Sequence, residues 1–197
     1  GRDITNILED LLKLNLKTEN AKLGIYLIIA TIPAAIIGYL LRNQNLFHNL
    51  TITTLGFAIT GLFLIIASLN LNIKPSKLTK KNSLLIGLAQ ILALFPGISR
   101  SGSTISAGLL TGLNEKTALK FSFLLSIPII LGANIITIGN QTLPPELIWA
   151  TLVSFLVGLI TLHILYKYIL TSKKNLRYFG AYALLLSLIL GIILIIN

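Results

Sequence analysis

The sequence predicts an all-α polytopic membrane protein with five transmembrane helices and one re-entrant helical hairpin. Three observations carry that prediction. Hydrophobic residues make up 54% of the 197 residues and charged residues only 11%, with a mean hydropathy of +0.86; a soluble domain carries about a quarter charged residues. The apolar residues fall in runs of roughly 18 or more, the length that a hydrocarbon layer about 30 Å thick requires of a helix. One apolar stretch is interrupted by a Pro-Gly break that carries an arginine. A single membrane domain over residues 1–197 is the natural organisation.

Residues 1–22 read as a short amphipathic connector, with Ile4, Ile7, Leu8, Leu11 and Leu12 on one face. Lys13, Lys17 and Lys22 suit a membrane surface, and a solvated connector fits equally well. Spans are predicted at residues 23–41, 51–69, 117–138, 146–170 and 178–196. Pro33 and Pro128 lie inside two of them, which membrane helices tolerate because neighbouring groups satisfy the freed carbonyls.

Residues 83–113 differ. An apolar arm over 84–95 leads into Pro96-Gly97-Ile98-Ser99-Arg100-Ser101-Gly102-Ser103-Thr104, and a second apolar arm, beginning near Ser103, runs to 113. At about 1.5 Å per residue each arm is too short to cross, so the segment is predicted to enter and leave on one side. Charge tests the idea. With a re-entrant segment, 14 of the 16 lysines and arginines fall on one side, Arg42 alone on the other, and Arg100 in the break. A crossing segment would give 8 against 7. The positive-inside rule selects the first arrangement and places the N-terminus in the cytoplasm and the C-terminus outside.

The net charge of +10 therefore reports topology and phospholipid contact, and no nucleic-acid partner is expected, since no basic face with interleaved aromatics exists. The absence of cysteine excludes disulfides and thiolate metal sites. No methionine stands at position 1, so the chain is expected to be a piece of a longer protein. No signal peptide with a cleavage site is visible.

Arg100 lies too deep to snorkel, and a cation there costs about 2.5–3.5 kcal/mol or more without a partner. Glu115 and Glu146 sit at segment ends and the other acids lie near the N-terminus. The partner is thus expected to be an anion from outside the fold, with a cap on helix-end carbonyls as the bland alternative. Ser99, Ser101, Ser103 and Thr104 surround a guanidinium that can fork phosphate oxygens, although one or two of these hydroxyls would serve as helix caps. Gly97 and Gly102 allow close backbone approach, and the N-terminus of the second arm adds free N–H groups. The pattern points to a phosphate or diphosphate cradle. Gln90 either lines it or hydrogen-bonds a neighbouring helix. Gly108 and Gly112 form a small-xxx-small pair for packing, Lys80 and Lys81 are anchors, His163 is an interface residue and His48 lies in a solvated outer loop. No metal ligands are read from this chain.

The string Phe95-Pro-Gly-Ile-Ser-Arg-Ser-Gly-Ser-Thr104, preceded by Gln90 and followed by Phe121-Ser-Phe-Leu-Leu-Ser-Ile-Pro128, closely resembles the second signature of the undecaprenyl-diphosphatase family, the bacitracin-resistance type. The similarity covers essentially the whole chain. It implies hydrolysis of a polyprenyl diphosphate to the monophosphate, recycling the lipid carrier of cell-wall synthesis at the plasma membrane. It also implies an inverted-repeat fold, with residues 23–69 as two spanning helices of the first repeat and 83–197 as the second. Ser99, Arg100 and Thr104 take the family's catalytic or diphosphate-binding roles by resemblance. Gly97, Ser101, Gly102, Ser103 and Gln90 line the diphosphate pocket, and a homodimer is compatible with the family.

A divalent cation, Mg or Ca, is implied by the resemblance alone. The family's other signature, with two glutamates, a Pro-x-Ser-Ser turn and a histidine, has no match in residues 1–22, so the cation's ligands are not found in this chain. These 197 residues are accordingly expected not to turn over alone. The competing reading is a carrier or flippase for an anionic lipid or solute that uses the same cradle without chemistry.

Overall fold

The structure, a computed structural model, describes residues 2–13, 15, 17–42, 49–69, 71–138, 145, 147–165 and 172–196. His48, Glu146 and the end of the fourth predicted span, 166–170, lie outside the described residues. The described residues form eight α-helices and no strand: α1 (Arg2–Leu12), α2 (Glu19–Leu41), α3 (Leu50–Ser68), α4 (Lys80–Leu92), α5 (Arg100–Leu110), α6 (Glu115–Ile138), α7 (Leu147–Ile164) and α8 (Leu176–Ile196). A 3₁₀ turn, Lys173–Asn175, leads into α8. Five segments are long and apolar enough to cross a membrane: Glu19–Leu41, Leu50–Ser68, Glu115–Ile135, Leu147–Ile164 and Lys173–Ile196.

The starts of the spans agree with the predicted ones to within a few residues, and at α2, α3 and α6 the offsets have one cause. Polar residues that hydropathy assigns to loops act as caps that hold the first turn. Thr18 accepts the Ala21 N–H at 3.1 Å, Asn49 accepts that of Ile52 at 3.1 Å, and Asn114 accepts that of Thr117 at 2.9 Å. Each satisfies a donor that the helix itself cannot. Pro33 and Pro128 sit inside unbroken helices, as expected. The amphipathic α1 lies against α2, where Ile7 and Leu11 pack over Gly24; Ile4, Leu8 and Leu12 stay exposed.

Residues 80–110 form a hairpin of two short helices. At about 1.5 Å per residue, α4 and α5 reach roughly 20 and 16 Å, well short of a bilayer core. Their outer ends are latched together: the Asn82 side chain donates to the Thr111 carbonyl at 3.2 Å, and the Ser76 N–H donates to the Gly112 carbonyl at 2.9 Å. This closure at one end is consistent with a re-entrant hairpin. The core wraps around it, with Leu27 and Ala30 from α2, Leu64 from α3 and Phe121 and Leu125 from α6 packed against Ile86 and Ile105. By contrast, α7 contributes no buried residue.

Two expectations are corrected here. The second arm begins at Arg100 rather than near Ser103, because Ser99 is its N-cap. Gly112 does not pack helix against helix; a Cβ there would lie 2.3 Å from the Lys74 carbonyl oxygen of the segment before α4. It ends α5 in the left-handed region at φ +89°, with the Gly112 N–H bonded to the Leu109 carbonyl and the Leu113 N–H to that of Gly108, a Schellman closure that favours glycine. Gly108 does pack as expected, since a Cβ there would lie 3.0 Å from that of Ala118 on α6.

Close backbone approach binds the remaining helices. A Cβ on Gly61 of α3 would stand 2.8 Å from the Gly180 carbonyl oxygen of α8, and one on Gly180 would stand 2.9 Å from the Gly61 oxygen. Ser187 of α8 donates to the Thr54 carbonyl at 2.8 Å, so the two helices run antiparallel along their length. Small residues of this kind let membrane helices pack by van der Waals contact. Gly61→Val is expected to destabilise the protein by about 1–3 kcal/mol through overpacking. Gly132→Ala, with no atom within 4 Å of its Cβ, should be neutral or stabilising by up to about 1 kcal/mol. Thermal unfolding in detergent, followed by circular dichroism, compares the two.

Candidate anion-binding site

The break between α4 and α5 starts where Ala93, Leu94 and Phe95 close a turn on the carbonyls of Gln90, Ile91 and Leu92. Gly97 follows with φ +83°, and a Cβ on it would lie 2.2 Å from the Thr53 carbonyl oxygen of α3. Gly56 on α3 has the matching restriction, its Cβ position lying 2.2 Å from the Pro96 oxygen. Both glycines are therefore required by backbone-to-backbone contact.

One side chain holds the break in place. The Thr60 hydroxyl accepts the Ser99 N–H at 2.9 Å and donates to the Gly97 carbonyl at 3.1 Å. Thr60 is buried and stands near the middle of α3, which puts the site near the middle of the span. Sequence reasoning missed it. Its one signal is a hydroxyl in an apolar run, and the neighbouring Thr53 and Thr54 bond carbonyls of their own helix instead.

The predicted hydroxyls divide into two sets. Ser99 accepts the Gly102 N–H at 3.1 Å as the N-cap and lies 3.4 Å from the Ser101 hydroxyl, which is exposed. Ser103 is buried and donates back to the Ser99 carbonyl at 3.0 Å. Thr104, only 1% exposed, shares a 2.6 Å hydrogen bond with Ser122 of α6 and also meets the Arg100 carbonyl at 2.9 Å. Thr104 thus ties α5 to α6, and its hydroxyl is turned into the fold. Ser122 lies within the quoted sequence string but was assigned no role there.

Arg100 is half-buried in the first turn of α5. Among the described residues it forms no ion pair. Its own N–H and that of Ser101 belong to the first turn and have no carbonyl within the helix to bond, so the helix end offers free donors in the same turn that carries the arginine. Gln90 is 2% exposed and neither amide atom finds a partner among the described residues; Ser106 Oγ on the other arm is likewise buried without one. Among the described residues, Gln90 therefore makes no hydrogen bond to a neighbouring helix.

A cavity of about 160 Å³ adjoins the break. Ser99, Ser101 and Gly102 form its polar end, and Leu64, Ile105, Phe123 and Phe179 are among the apolar side chains that complete it. Its character is amphiphilic: hydroxyls at one end, hydrocarbon around the rest. The donor set does not fit a divalent cation. Such ions take several carboxylate or carbonyl oxygens, whereas the break offers hydroxyls beside a guanidinium. Among the described residues no group of three or more acidic or histidine side chains gathers to hold a metal. His163 is exposed near the end of α7, far along the chain from the break.

A family profile described as "Bacitracin resistance protein BacA" matches residues 1–189. The chain belongs to this family. Within it, the chain is 44% identical over 191 residues to a protein named undecaprenyl-diphosphatase from Thermosipho melanesiensis, covering 95% of this chain and 75% of the relative. A protein of the same name from Thermosipho africanus is 40% identical with the same coverage. One from Methanococcus vannielii is 35% identical over 84% of this chain and 68% of the relative. The BacA family and the five apolar helices together make this a multi-pass membrane protein.

Thr60→Val should unpin the break by leaving the Ser99 N–H and the Gly97 carbonyl without a partner, at about 1–3 kcal/mol for each buried group. Thr60→Ser keeps both bonds and should keep most of the stability. Thermal midpoints of the two variants, read together, check the assignment.

Proposed function

We propose that this chain acts in the hydrolysis of undecaprenyl diphosphate to undecaprenyl phosphate and inorganic phosphate, which returns a lipid carrier to cell-wall synthesis. The observation that carries the proposal is a Ser99–Ser101 hydroxyl pair at the polar end of a cavity with hydrocarbon walls, flanking in sequence an Arg100 that forms no ion pair among the described residues. Such a site fits a ligand with an anionic head and an apolar tail. The relatives' names supply the reaction, and the geometry suggests the division of labour.

In this reading Arg100 forks the oxygens of the diphosphate, and the N–H groups of Arg100 and Ser101 add donors. The charge that builds on the phosphoryl oxygens is then met by groups already in position. Ser99 and Ser101 contact the diphosphate at the cavity end. Gly97 and Gly102 keep the backbone close to it. Ser103, Thr104 and Gln90 act behind this layer, with Thr104 fixing the pitch of α5 through Ser122. Water adds to the terminal phosphorus, the bridging P–O bond breaks, and the monophosphate keeps the lipid tail. No step is routed through a cation, because the residues around Arg100 do not fit one.

The lysine-rich ends of α2, α4, α6 and α8 are assigned to the cytoplasm by the positive-inside rule. The assignment of residues 23–69 and 83–197 to two inverted repeats is supported by the reciprocal Gly61–Gly180 contact. Helices of opposite direction meet there, as the terminal helices of two inverted repeats would.

Phosphate released from undecaprenyl diphosphate in liposomes, measured beside equilibrium binding of the same lipid, tests the proposal. Arg100→Ala should weaken binding by about 10- to 100-fold, the worth of a hydrogen bond to a charged group, and lower any release by about 10²–10³-fold. Arg100→Lys keeps the charge without the fork and should fall between. Unchanged binding and release in Arg100→Ala would overturn the reading. Lipid redistribution across the bilayer with no release would favour a carrier.

A further inference from the structure

One face of α5 connects the Arg100 break to the lysine-rich end of the bundle. Ser101, Ile105 and Leu109 follow one another along it at single-turn spacing, and each lines a cavity. Ser101 and Ile105 belong to the cavity of about 160 Å³ beside Ser99. Ile105 and Leu109 line a pocket of only about 10 Å³. Leu109 then lines a cavity of about 200 Å³ that reaches Gly112 and, before α4, Ile73 and Pro75.

The three share walls and so form a series. Leu109, Glu115 and Lys173 border both the outer cavity and the small pocket. Ile105 and Leu176 border both the small pocket and the Ser99 cavity. From Ser101 to Leu109 the helix rises about 12 Å, most of the half-thickness of a hydrocarbon core about 30 Å deep.

Both ends of the series are polar, and its narrowest part is largely aliphatic. At the outer end Glu115 and Lys173 are half-buried, and neither forms an ion pair among the described residues. At the inner end stand the Ser99 and Ser101 hydroxyls, beside the half-buried Arg100 in sequence. In the small pocket Ile105, Leu109, Leu119 and Leu176 join the polar side chains, and its volume is close to the roughly 10–15 Å³ that one water needs. An apolar constriction passes water intermittently, by wetting and drying. Charged side chains and irregular backbone are tolerated at membrane depth where they line a water-filled cavity; lipid filling the series would set hydrocarbon against them.

We propose that these cavities form one hydrated passage, by which water moves between the lysine-rich membrane face and the Ser99–Ser101 hydroxyl pair. Its narrowest point is the aliphatic neck at Ile105 and Leu176. Under the hydrolytic reading the passage delivers the attacking water; as a water route it stands without that reading.

The sequence contains no cysteine, so single cysteines report the passage directly. Leu109→Cys, Ile105→Cys and, as a lipid-facing control, Leu188→Cys on α8 are introduced one at a time into the full chain, in sealed vesicles sorted by orientation. Silver ion, close to water in size, is added on the lysine-rich side, and the remaining thiols are counted with a maleimide after denaturation. Leu109→Cys and Ile105→Cys should react at least about tenfold faster than Leu188→Cys, a difference of about 1.4 kcal/mol in barrier. Adding Leu119→Phe should narrow the neck, slowing Ile105→Cys by about tenfold and leaving Leu109→Cys unchanged; circular dichroism checks the fold. Should that variant unfold, the order of the three single cysteines decides alone. An Ile105→Cys thiol that silver reaches only from the opposite face, or no faster than it reaches Leu188→Cys, would overturn the proposal. So would an undiminished rate in a folded Leu119→Phe background.

Discussion

A helix interrupted within hydrocarbon exposes N–H and carbonyl groups that no solvent is present to satisfy, and in this protein the Thr60 hydroxyl meets two of them at once. It accepts from Ser99 and donates to Gly97, the two residues that flank Ile98. Non-helical backbone survives at membrane depth only where protein or a polar cavity surrounds it. The close fit of Gly56 against Pro96, and of Gly97 against Thr53, follows from this clasp. So does the position of Ser99, which caps α5, and hence the direction in which Arg100 leaves the helix. A contact between two chain segments 39 residues apart thereby sets the geometry of the whole cradle.

The cluster of hydroxyls around Arg100 serves two purposes that sequence alone does not separate. Ser103 and Thr104 face the fold, where the Thr104–Ser122 bond crosses between α5 and α6. Ser99 and Ser101 face the cavity. The separation follows from helix period. Once α5 starts at Arg100, residues 103 and 104 lie one turn on and point back toward the preceding carbonyls. Loss of either inward hydroxyl acts on the ligand through the tilt of α5, whereas the outward pair acts by contact. Gln90 and Ser106, one on each arm of the hairpin, are buried polar groups without partners among the described residues.

Much of this was legible in the sequence because hydrocarbon imposes a coarse and exacting grammar. The five spans, the short-armed hairpin, the two interior prolines and the arginine-bearing break follow from run length, charge placement and the cost of buried charge. Helix starts at Glu19 and Arg100 were less legible, since Thr18 and Ser99 read as loop residues until their cap bonds are seen. Thr60 and Ser122 were not legible at all. A threonine in a membrane helix ordinarily bonds its own backbone, as Thr53 and Thr54 do, and only the arrival of another segment distinguishes Thr60. Gly112 misled because small-residue spacing and a left-handed helix end look alike in one dimension.

The short arms of the hairpin also bear on the order in which the protein is built. Neither α4 nor α5 has the length to be inserted as a span on its own. When residues 80–110 leave the ribosome, α3 has already been made, with Gly56 and Thr60 facing an unfilled side. The hairpin thus follows its α3 partner surface in the chain and is closed at its base by Asn82 and Thr111. The partner of Gly61 on α8 follows the hairpin in the chain. Chain order thus leaves one flank of α3 open to lipid until α8 arrives, and the cavity beside Ser99 is completed only then, by Leu176 and Phe179.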